Sequence, residues 1–561
     1  MKKITIYNRY TLLFKPLNLK SLIFKSLNLT LLRSYALTLF LLFFFLPNTL
    51  HAQSCPKPGN AIELDVNNIR AYFKTNGAHF FREKAEFEVP KGSGKTSLFA
   101  GALWLGAKDD EDKLYVAAMK YGQSGNDYWT GPSLSNNQAN TCAYYDQFWK
   151  VTKKEIDDHI AGTLYIIPQS IRDWPAHGRA SFGEPFLLAP YKNVSGANSY
   201  TPEYGDYPLI RGDEAIFWIN NDVGGGFHGE SGGAPLGVEI ISMAYAYQSE
   251  EYALNHTMFL SYEIRNTSDR NYKDLYVGFF ADFDIGYAKD DYIGCDSLLN
   301  LCYGYNGKPI DKGQTWAYGE YPPAQGAMFL NKKMNSFMYY NNGWSPTGDP
   351  SEPAEFYNYL QGLWKNGTPL TYGGTGYNPD STNYTKFAFS GDPETKAGWS
   401  EMKPNGQDDP SNVPDDRRGV MSAGPFNLKA GEKITIDIAL PFAQDLEGDY
   451  LTSVTMLKQN AQKIQEFYDN FILDIKQIEP KKGLLTVYPN PSNGQFIVSS
   501  NQNIKTIDFY DVMGRVQKGE GRMEKGEGKI YIDFSNLPKG FYMYRAVLED
   551  NSVCSGKIIV Q

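Results

Sequence analysis

A dense group of carboxylates is the part of the chain best suited to carry chemistry. It consists of five acids and one glycine: Asp282, Asp284, Gly286, Asp290, Asp291 and Asp296. On a strand, Asp282 and Asp284 would point to the same face, and Gly286 would let the chain turn and bring the later acids back toward them. Carboxylates that meet in this way repel one another unless a cation or solvent screens their charges.

Three interpretations of this group stay open. Oxygen ligands on a turning loop suit Ca²⁺, which would be bound by Asp282, Asp284, Asp290, Asp291 and Asp296. The spacing is not that of an EF-hand, because a glycine stands where the third ligand is required. The same acids would otherwise form a solvated loop, or two of them would act as the acid and base of a glycosidase.

Two short segments elsewhere match the sequences of catalytic or nucleotide-binding motifs but lack the flanking residues that those motifs require. Ser231 lies in Gly-Glu-Ser-Gly-Gly, but glycines precede this segment and Ala234-Pro235 follows it. A nucleophile elbow needs a buried strand before the serine and a helix after it, so we predict a flexible loop. The segment 92–96 reads Gly-Ser-Gly-Lys-Thr, but Val89 replaces the first glycine of a phosphate-binding loop.

The five cysteines are compatible with disulfides in an exported protein. They are Cys55, Cys142, Cys295, Cys302 and Cys554. We expect Cys295 to pair with Cys302, because the two are close in sequence. A bond between Cys55 and Cys142 remains open, and Cys554 would then be unpaired. The chain has no Cys-x-x-Cys and no His-Glu-x-x-His, which argues against thiolate zinc sites and zinc proteases.

Residues 1–52 have the composition of a secretory signal peptide. This segment contains basic residues and no acid, and the apolar run 35–46 is too short to span a bilayer comfortably. Ala52 provides a small residue for cleavage, although an uncleaved anchor remains an alternative. The whole chain has a formal net charge of −9, and an acidic surface argues against nucleic-acid partners.

Apolar alternation predicts a mainly β protein with a few helices. We expect strands at 215–219, 238–247, 258–265, 275–285 and 434–440, and helices at 152–160, 353–365 and 449–470. Thr152 and Glu155 have the spacing of a capping box. The predicted domains are a large β-rich body at 53–475, with a subdivision at the loop-rich stretch 341–416 left open, a linker at 476–483 and a small β-sandwich at 484–561.

The C-terminal segment carries four motifs in a fixed order. They are Tyr488-Pro489-Asn490-Pro491 with Gly494, Tyr510-Asp511 with Gly514-Arg515, Leu537-Pro538 with Gly540-Phe541-Tyr542, and Lys557 to Gln561. In these motifs the segment resembles the type A C-terminal sorting domain of the Bacteroidetes type IX secretion system. The resemblance implies an Ig-like β-sandwich that the translocon reads, with Pro489, Asn490, Pro491, Gly494, Gly514, Gly540 and Lys557 as sorting residues.

The same resemblance implies partners and a destination. A sortase-like protease commonly removes such domains as the cargo is released or joined to surface lipopolysaccharide. The product would be secreted or attached to the outer-membrane surface, and it would reach that place through the periplasm.

The body also resembles a type of large secreted Bacteroidetes protein with no assigned activity. The segments that carry this resemblance include 99–106, 173–176, 205–208, 281–286 and 321–324. We therefore expect a non-catalytic protein for adhesion, glycan contact or the surface layer. The alternative is a secreted hydrolase that acts on polysaccharide through carboxylates between Asp282 and Asp296.

Overall fold

The computed structural model describes residues 55–478 and 485–561, except for residues 124, 134–137, 404–412, 501–502, 511–515, 518–519, 525–528 and 550–552. The predicted signal peptide at 1–52 and sorting residue Gly514 therefore lie outside the described residues. Strands predominate over helices, which confirms the mainly β fold class. No helix in the described part of the chain combines the length and apolar character needed to cross a membrane.

The body, defined here as residues 55–478, contains 22 described strands. In chain order, β1 to β22 are Ala61–Leu64, Arg70–Lys74, Phe87–Glu88, Thr96–Leu98, Ala100–Asp109, Leu114–Ala118, Trp129–Thr130, Trp149–Thr152, Tyr191–Lys192, Tyr207–Pro208, Glu214–Asn221, Val238–Ala246, Thr257–Asn266, Tyr272–Phe283, Asp291–Asp296, Leu301–Asn306, Ile310–Asp311, Gly319–Glu320, Ala324–Phe329, Ser336–Tyr340, Arg417–Leu428 and Lys433–Ala443. The strands predicted at 215–219, 238–247, 258–265, 275–285 and 434–440 correspond to β11, β12, β13, β14 and β22.

Helices in the described part of the body are fewer. In chain order, α1 to α6 are Gln138–Tyr145, Lys153–Ile160, Gln169–Arg172, Tyr252–Asn255, Pro353–Leu360 and Thr452–Ile478, and short 3₁₀ turns occupy Ala180–Phe182, Pro202–Tyr204 and Ala288–Asp290. The capping box at the start of α2 is confirmed, because Thr152 and Glu155 exchange side-chain and backbone hydrogen bonds.

Two helices differ in length from the prediction. Helix α5 ends at Leu360 because Gly362 adopts φ +78° and the N–H of Leu363 bonds to the carbonyl of Asn358, which closes the last turn. Helix α6 starts after Asp449, whose carboxylate accepts from the N–H of Thr452. It continues to Ile478, so the first three residues of the expected linker at 476–483 are helical.

Two antiparallel sheets form the sandwich of the body. One contains nine strands in the order β15, β16, β19, β22, β13, β12, β11, β7, with β8 also paired to β11. The other has the order β20, β21, β14, β5, β6. A four-stranded sheet, β1 to β4, and the pairs β9–β10 and β17–β18 complete the described strands of the body.

The nine-stranded sheet is buried on both faces. Alternate side chains on a strand point to opposite faces, so neighbouring residues of one strand enter two different cores. On β11, Ile216 and Trp218 join the core between the two sheets, whereas Phe217 and Ile219 join a second core. The stripe of α6, with Leu457 among its residues, packs into that second core. The loop-rich stretch 341–416 adds Trp364, Phe389 and Trp399 to the first core, so its aromatic residues belong to the sandwich.

The C-terminal domain is a separate β-sandwich with its own core. Its strands β23 to β30 are Leu485–Tyr488, Gln495–Ser500, Ile504–Tyr510, Val516–Gln517, Glu520–Glu524, Lys529–Asp533, Gly540–Leu548 and Val553–Val560. They form two four-stranded antiparallel sheets, β23-β24-β28-β27 and β26-β25-β29-β30. Phe496, Phe534 and Ile558 are buried between these sheets. This architecture agrees with the expected Ig-like sandwich.

Candidate functional site

Strand pairing builds the candidate site on one face of the five-stranded sheet. The register of β14 and β21 places Asp282 directly opposite Arg418. The strand on the other edge of β21, β20, places Tyr340 opposite the same arginine. The antiparallel register, continued by two residues, brings Asp284 next to Asp416. Residues two apart share a face of the sheet, so three carboxylates and one guanidinium meet there.

Hydrogen bonds and ion pairs tie part of this group together. The Tyr121 hydroxyl donates to Oδ2 of Asp282 at 2.7 Å and accepts from Nε of Arg418 at 3.0 Å. Nη1 of Arg418 lies 2.8 Å from Oδ1 of Asp416, and its Nε lies 3.5 Å from Oδ1 of Asp282. One oxygen from each of Asp282, Asp284 and Asp416 lies within 4.8 Å of the other two. We call these three acids the acid cluster.

Burial and neighbouring negative charges favour the neutral form of Asp282 and Asp284. Burial raises the pKa of Asp282 to about 6, and the negative charge of Asp416 adds to this while Arg418 opposes it. Burial also raises the pKa of Asp284 well above its usual range, together with the charges of Asp282 and Asp416. The pKa of Tyr121 is raised by burial and by Asp282, so its hydroxyl stays a donor.

Three of the predicted ligands lie away from the acid cluster. Asp296 stands at the far end of β15, accepts from the N–H of Leu298 and lies 3.8 Å from the Lys458 ammonium. Asp291 accepts from the N–H of Ile285 at 2.9 Å, and Asp290 lies beside Asp311. The described residues therefore do not bring the five predicted acids to one point; of the five, only Asp282 and Asp284 meet, together with Asp416.

Sequence reasoning missed four residues of this site. They are Tyr121, Tyr340, Asp416 and Arg418. Their positions depend on strand register between segments that are distant in the chain; 161 positions separate Tyr121 from Asp282. The only local signal is the charged run Asp-Asp-Arg-Arg at 415–418, which opens a strand.

Two cavities flank the acid cluster. Cavity 1 has a volume of about 610 Å³, and Asp284, Lys289 and Trp316 are among its lining residues. Cavity 2 has a volume of about 660 Å³, and its lining includes Tyr121, Arg418 and Trp344. Because Glu83 and Phe99 line both cavities, the two adjoin each other.

The Ser231 loop is buried and held by a carboxylate. Ser231 is fully buried, its N–H donates to Asp127, and its hydroxyl lies 3.3 Å from the carbonyl oxygen of Val116. In the segment 92–96, the N–H of Gly94 donates to the Glu88 carboxylate at 2.6 Å. The Glu88 carboxylate therefore already accepts a hydrogen bond from an N–H group that a bound phosphate would need.

The expected disulfide between Cys295 and Cys302 is wrong. The structure joins Cys55 to Cys142, the pairing that the sequence left open. Cys295 and Cys302 are opposite each other on β15 and β16 but are free and buried. The Cys295 thiol instead donates to the carbonyl of Ala388 at 3.2 Å. Proximity in sequence was therefore a poor guide to the direction of the thiols.

Asn490, one of the predicted sorting residues, links the start of the C-terminal domain to its last strand. The segment from Pro489 to Pro491 follows β23, and Oδ1 of Asn490 accepts from the N–H of Ile559 at 2.9 Å. Gly494 adopts φ +104°, and a Cβ there would lie 2.7 Å from the Cα of Ser535. Gly540 opens β29, and Lys557 lies on β30.

Comparison with known proteins gives a family for this domain alone. Residues 486–561 match the family model described as the secretion system C-terminal sorting domain. A search of curated proteins gave no match to the chain. Among solved structures, a polysaccharide lyase has 8% identity and a TM-score of 0.18, over 58% of this chain and 34% of its own. This chain thus spans about a third of that lyase.

A second solved structure is a putative aldose 1-epimerase from Escherichia coli K12. It has 9% identity and a TM-score of 0.21, over 69% of this chain and 99% of that chain. Neither score bears on the fold or activity of the body. The match of residues 486–561, together with the sandwich described above, identifies the chain as cargo of the type IX secretion system, exported to the cell surface or the extracellular space.

Proposed function

We propose that the exported body binds glycan chains in cavities 1 and 2 and is not a catalyst. The observation that carries the proposal is the exposure of a tryptophan in each cavity: the exposed fraction is 86% for Trp344 and 46% for Trp316. Each of these rings lies in a cavity that also contains carboxylates. Tryptophan rings that stay in water at a cleft commonly serve as contact surfaces for ligands.

The polar lining of both cavities suits hydroxyl-rich ligands. Glu83 and Asp284 line cavity 1, and Glu83 and Asp349 line cavity 2. Carboxylates accept hydrogen bonds from hydroxyl groups, and basic side chains donate to ring and hydroxyl oxygens. The cavity volumes fall in the range of small-ligand sites, and because the cavities adjoin, a chain of sugars fits this surface better than a single sugar.

Glycan-array screening of the purified exported protein, followed by calorimetric titration of the best ligand, tests this function. We expect Trp344→Ala and Trp316→Ala each to weaken binding about tenfold, because packing against an aromatic ring contributes about 0.5 to 1.5 kcal/mol beyond the area it buries. Tyr165 is fully exposed and does not line either cavity, so Tyr165→Ala serves as the control. Binding that survives the loss of both tryptophans would contradict the proposal.

One observation supports the alternative of a polysaccharide hydrolase. Asp282 has a pKa of about 6, which suits a proton donor near neutral pH. However, the nearest oxygens of the acid cluster lie within 4.8 Å of one another, whereas glycosidase carboxylates stand about 5 to 9.5 Å apart. Arg418 and Tyr121 also bind Asp282. Release of reducing ends from the bound glycan, abolished by Asp282→Asn, would favour this alternative.

For export we propose the full route of a type IX cargo from a Bacteroidetes cell. A signal peptide at 1–52 would take the chain into the periplasm, the translocon would read residues 484–561, and a sortase-like protease would remove them near 479–484. Joining of the product to surface lipopolysaccharide remains part of this proposal. Deletion of 484–561 should leave the protein in the periplasm, and intact-mass measurement of the exported product should give an end before residue 485. Unchanged surface display would contradict the route.

A further inference from the structure

Two oxygens of the acid cluster lack the hydrogen-bond donors that buried carboxylate oxygens normally have. Oδ1 of Asp282 and Oδ1 of Asp284 are buried and have no hydrogen-bond partner among the described residues. Asp282 as a residue is 1% exposed. Leaving a buried carboxylate oxygen without a donor costs free energy. We propose that Asp282, Asp284 and Asp416 bind a divalent cation of the Ca²⁺ type.

The spacing of the oxygens fits one ion. Ca²⁺ binds oxygen at about 2.4 Å, so two ligands of the same ion lie at most about 4.8 Å apart. The three carboxylates each offer an oxygen within that separation of the other two. A point between them therefore lies at most about 2.8 Å from each of the three oxygens, close to the range of about 2.3 to 2.6 Å in which Ca²⁺ binds oxygen.

The charges of the surroundings leave room for a cation. Three carboxylates meet one guanidinium, that of Arg418, which pairs with Asp416 and Asp282. The ammonium of Lys289 lies 3.4 Å from Asp416 but is shared with Asp415. Asp284 has no ion pair in the described part of the chain, so no cationic side chain pairs with its carboxylate once a bound metal ion has displaced the proton.

An independent observation comes from Tyr340. Its hydroxyl is buried and has no hydrogen-bond partner among the residues that the structure describes. Tyr340 is the cross-strand neighbour of Arg418, so its side chain lies on the face that carries the acid cluster. A water molecule bound to the cation would accept from or donate to this phenol, which otherwise remains unsatisfied.

The donor chemistry sets the class of metal. All three ligands are carboxylates, and neither histidine nor cysteine belongs to the group. Hard oxygen ligands select Ca²⁺ or Mg²⁺ over zinc and copper. Because Asp284 lines cavity 1, water from that cavity can complete the large coordination sphere of Ca²⁺. Mg²⁺ demands closer and more regular ligands.

Terbium luminescence of the chelator-treated full-length protein tests the site directly. Tb³⁺ replaces Ca²⁺ and is excited by nearby phenols, and Tyr121 and Tyr340 are next to the cluster. We expect sensitised emission that saturates at one Tb³⁺ per chain and is displaced by Ca²⁺. Asp284→Asn and Asp416→Asn should each weaken Tb³⁺ binding at least tenfold. The control is Asp296→Asn, which removes a predicted ligand outside the cluster and should bind Tb³⁺ as the wild type does.

Two outcomes would overturn the inference. One is the absence of stoichiometric Tb³⁺ and Ca²⁺ binding, measured by luminescence and by calorimetry. The other is an equal loss of binding in Asp296→Asn and Asp284→Asn, which would indicate diffuse attraction of cations to an acidic surface. Circular dichroism confirms the fold of each variant, and if Asp416→Asn does not fold, the partly exposed Asp284 still provides the test.

Discussion

Asp127 and Asp222 are as deeply buried as Asp282, but the backbone surrounds them differently. Asp222 accepts from the N–H groups of Leu236, Gly237 and Val238 at 2.5 to 2.9 Å. Asp127 accepts from Ala118, Glu230 and Ser231. In the acid cluster, by contrast, all the donors are side chains: Tyr121 and Arg418 contact Asp282, and Arg418, Asn342 and Lys289 contact Asp416.

The difference indicates which acids the fold needs. A carboxylate that takes three backbone amides fixes the path of a loop, and its removal leaves those amides without partners. A carboxylate that repels its neighbours and lacks donors contributes little to the fold and is available for a ligand. The two groups should therefore respond in opposite ways to mutation, pH and cations.

The largest effect is expected for Asp222→Ala. Three buried N–H groups would lose their acceptor, at a cost of about 1 to 3 kcal/mol each before relaxation, so we expect a loss of about 4 kcal/mol in the free energy of unfolding. Urea denaturation measures it. The exposed Asp380 provides the control, and Asp380→Ala should change stability by less than about 0.5 kcal/mol. Equal stability of both variants would contradict the inference that the fold depends on carboxylates bonded by backbone amides.

The next effect is expected for Arg418→Met. This change leaves Asp282 and Asp416 without their guanidinium, which should cost about 2 to 4 kcal/mol at pH 7. At pH 5 the loss should be smaller, because Asp282, whose pKa is raised to about 6 by burial, becomes neutral. Lys289→Met, which removes a half-exposed cation beside Asp416, is the matched control and should cost less than about 1 kcal/mol. An equal loss at both pH values would show that packing, and not charge, is what Arg418 provides.

Sequence reasoning succeeded where the cause is local. Apolar runs located β11 and β12, and apolar alternation located β13, β14 and β22. The Thr152 capping box placed the start of α2. Side-chain direction and capping both depend on neighbouring residues. Sequence reasoning failed where the position of a side chain depends on the register between strands that are distant in the chain. Asp282 and Asp284 were found because they are two residues apart, but Arg418 and Asp416 come from a strand whose alignment is fixed by the whole sheet.

The cysteines also show that contacts between distant segments cannot be predicted from local sequence. Cys295 and Cys302 are indeed adjacent in space, as their spacing suggested, but Cys295 donates to a backbone carbonyl and the bond is made by Cys55 and Cys142. The separation of that pair is 87 residues, so nothing local could have selected it. Distance along the chain predicts proximity only within one hairpin.

A third effect, of intermediate size, concerns pH. Burial raises the pKa of Asp290 and of Asp311 to about 6, and for Asp290 the charge of Asp311 adds to burial. Since the folded pKa exceeds the unfolded value, these groups favour the folded state at low pH, and that advantage is lost as pH rises from about 4 through 6. We expect a loss of about 1 to 2 kcal/mol across this window.

Asp290→Asn separates this contribution from that of other acids. The variant keeps a neutral side chain at all pH values, so its denaturation midpoint should fall less than that of the wild type between pH 4 and pH 7. Asp380→Asn should leave the wild-type slope unchanged. A wild-type slope in the Asp290 variant would assign the pH dependence elsewhere and place Asp290 with the well-satisfied acids.

The smallest change in stability is expected for Asp284→Asn in the absence of cations. The sign of this change separates the acid cluster from carboxylates such as Asp222 most clearly. Burial and the charges of Asp282 and Asp416 raise the pKa of Asp284 well above its usual range. A neutral amide in its place removes the remaining repulsion, so the chelator-treated variant should be as stable as the wild type or more stable by up to about 1 kcal/mol. With saturating Ca²⁺ the order should reverse, since only the wild type gains the binding free energy. Thermal melts in EDTA and in Ca²⁺ measure both. A destabilised variant in EDTA would mean that Asp284, like Asp222, is a carboxylate that the fold itself requires.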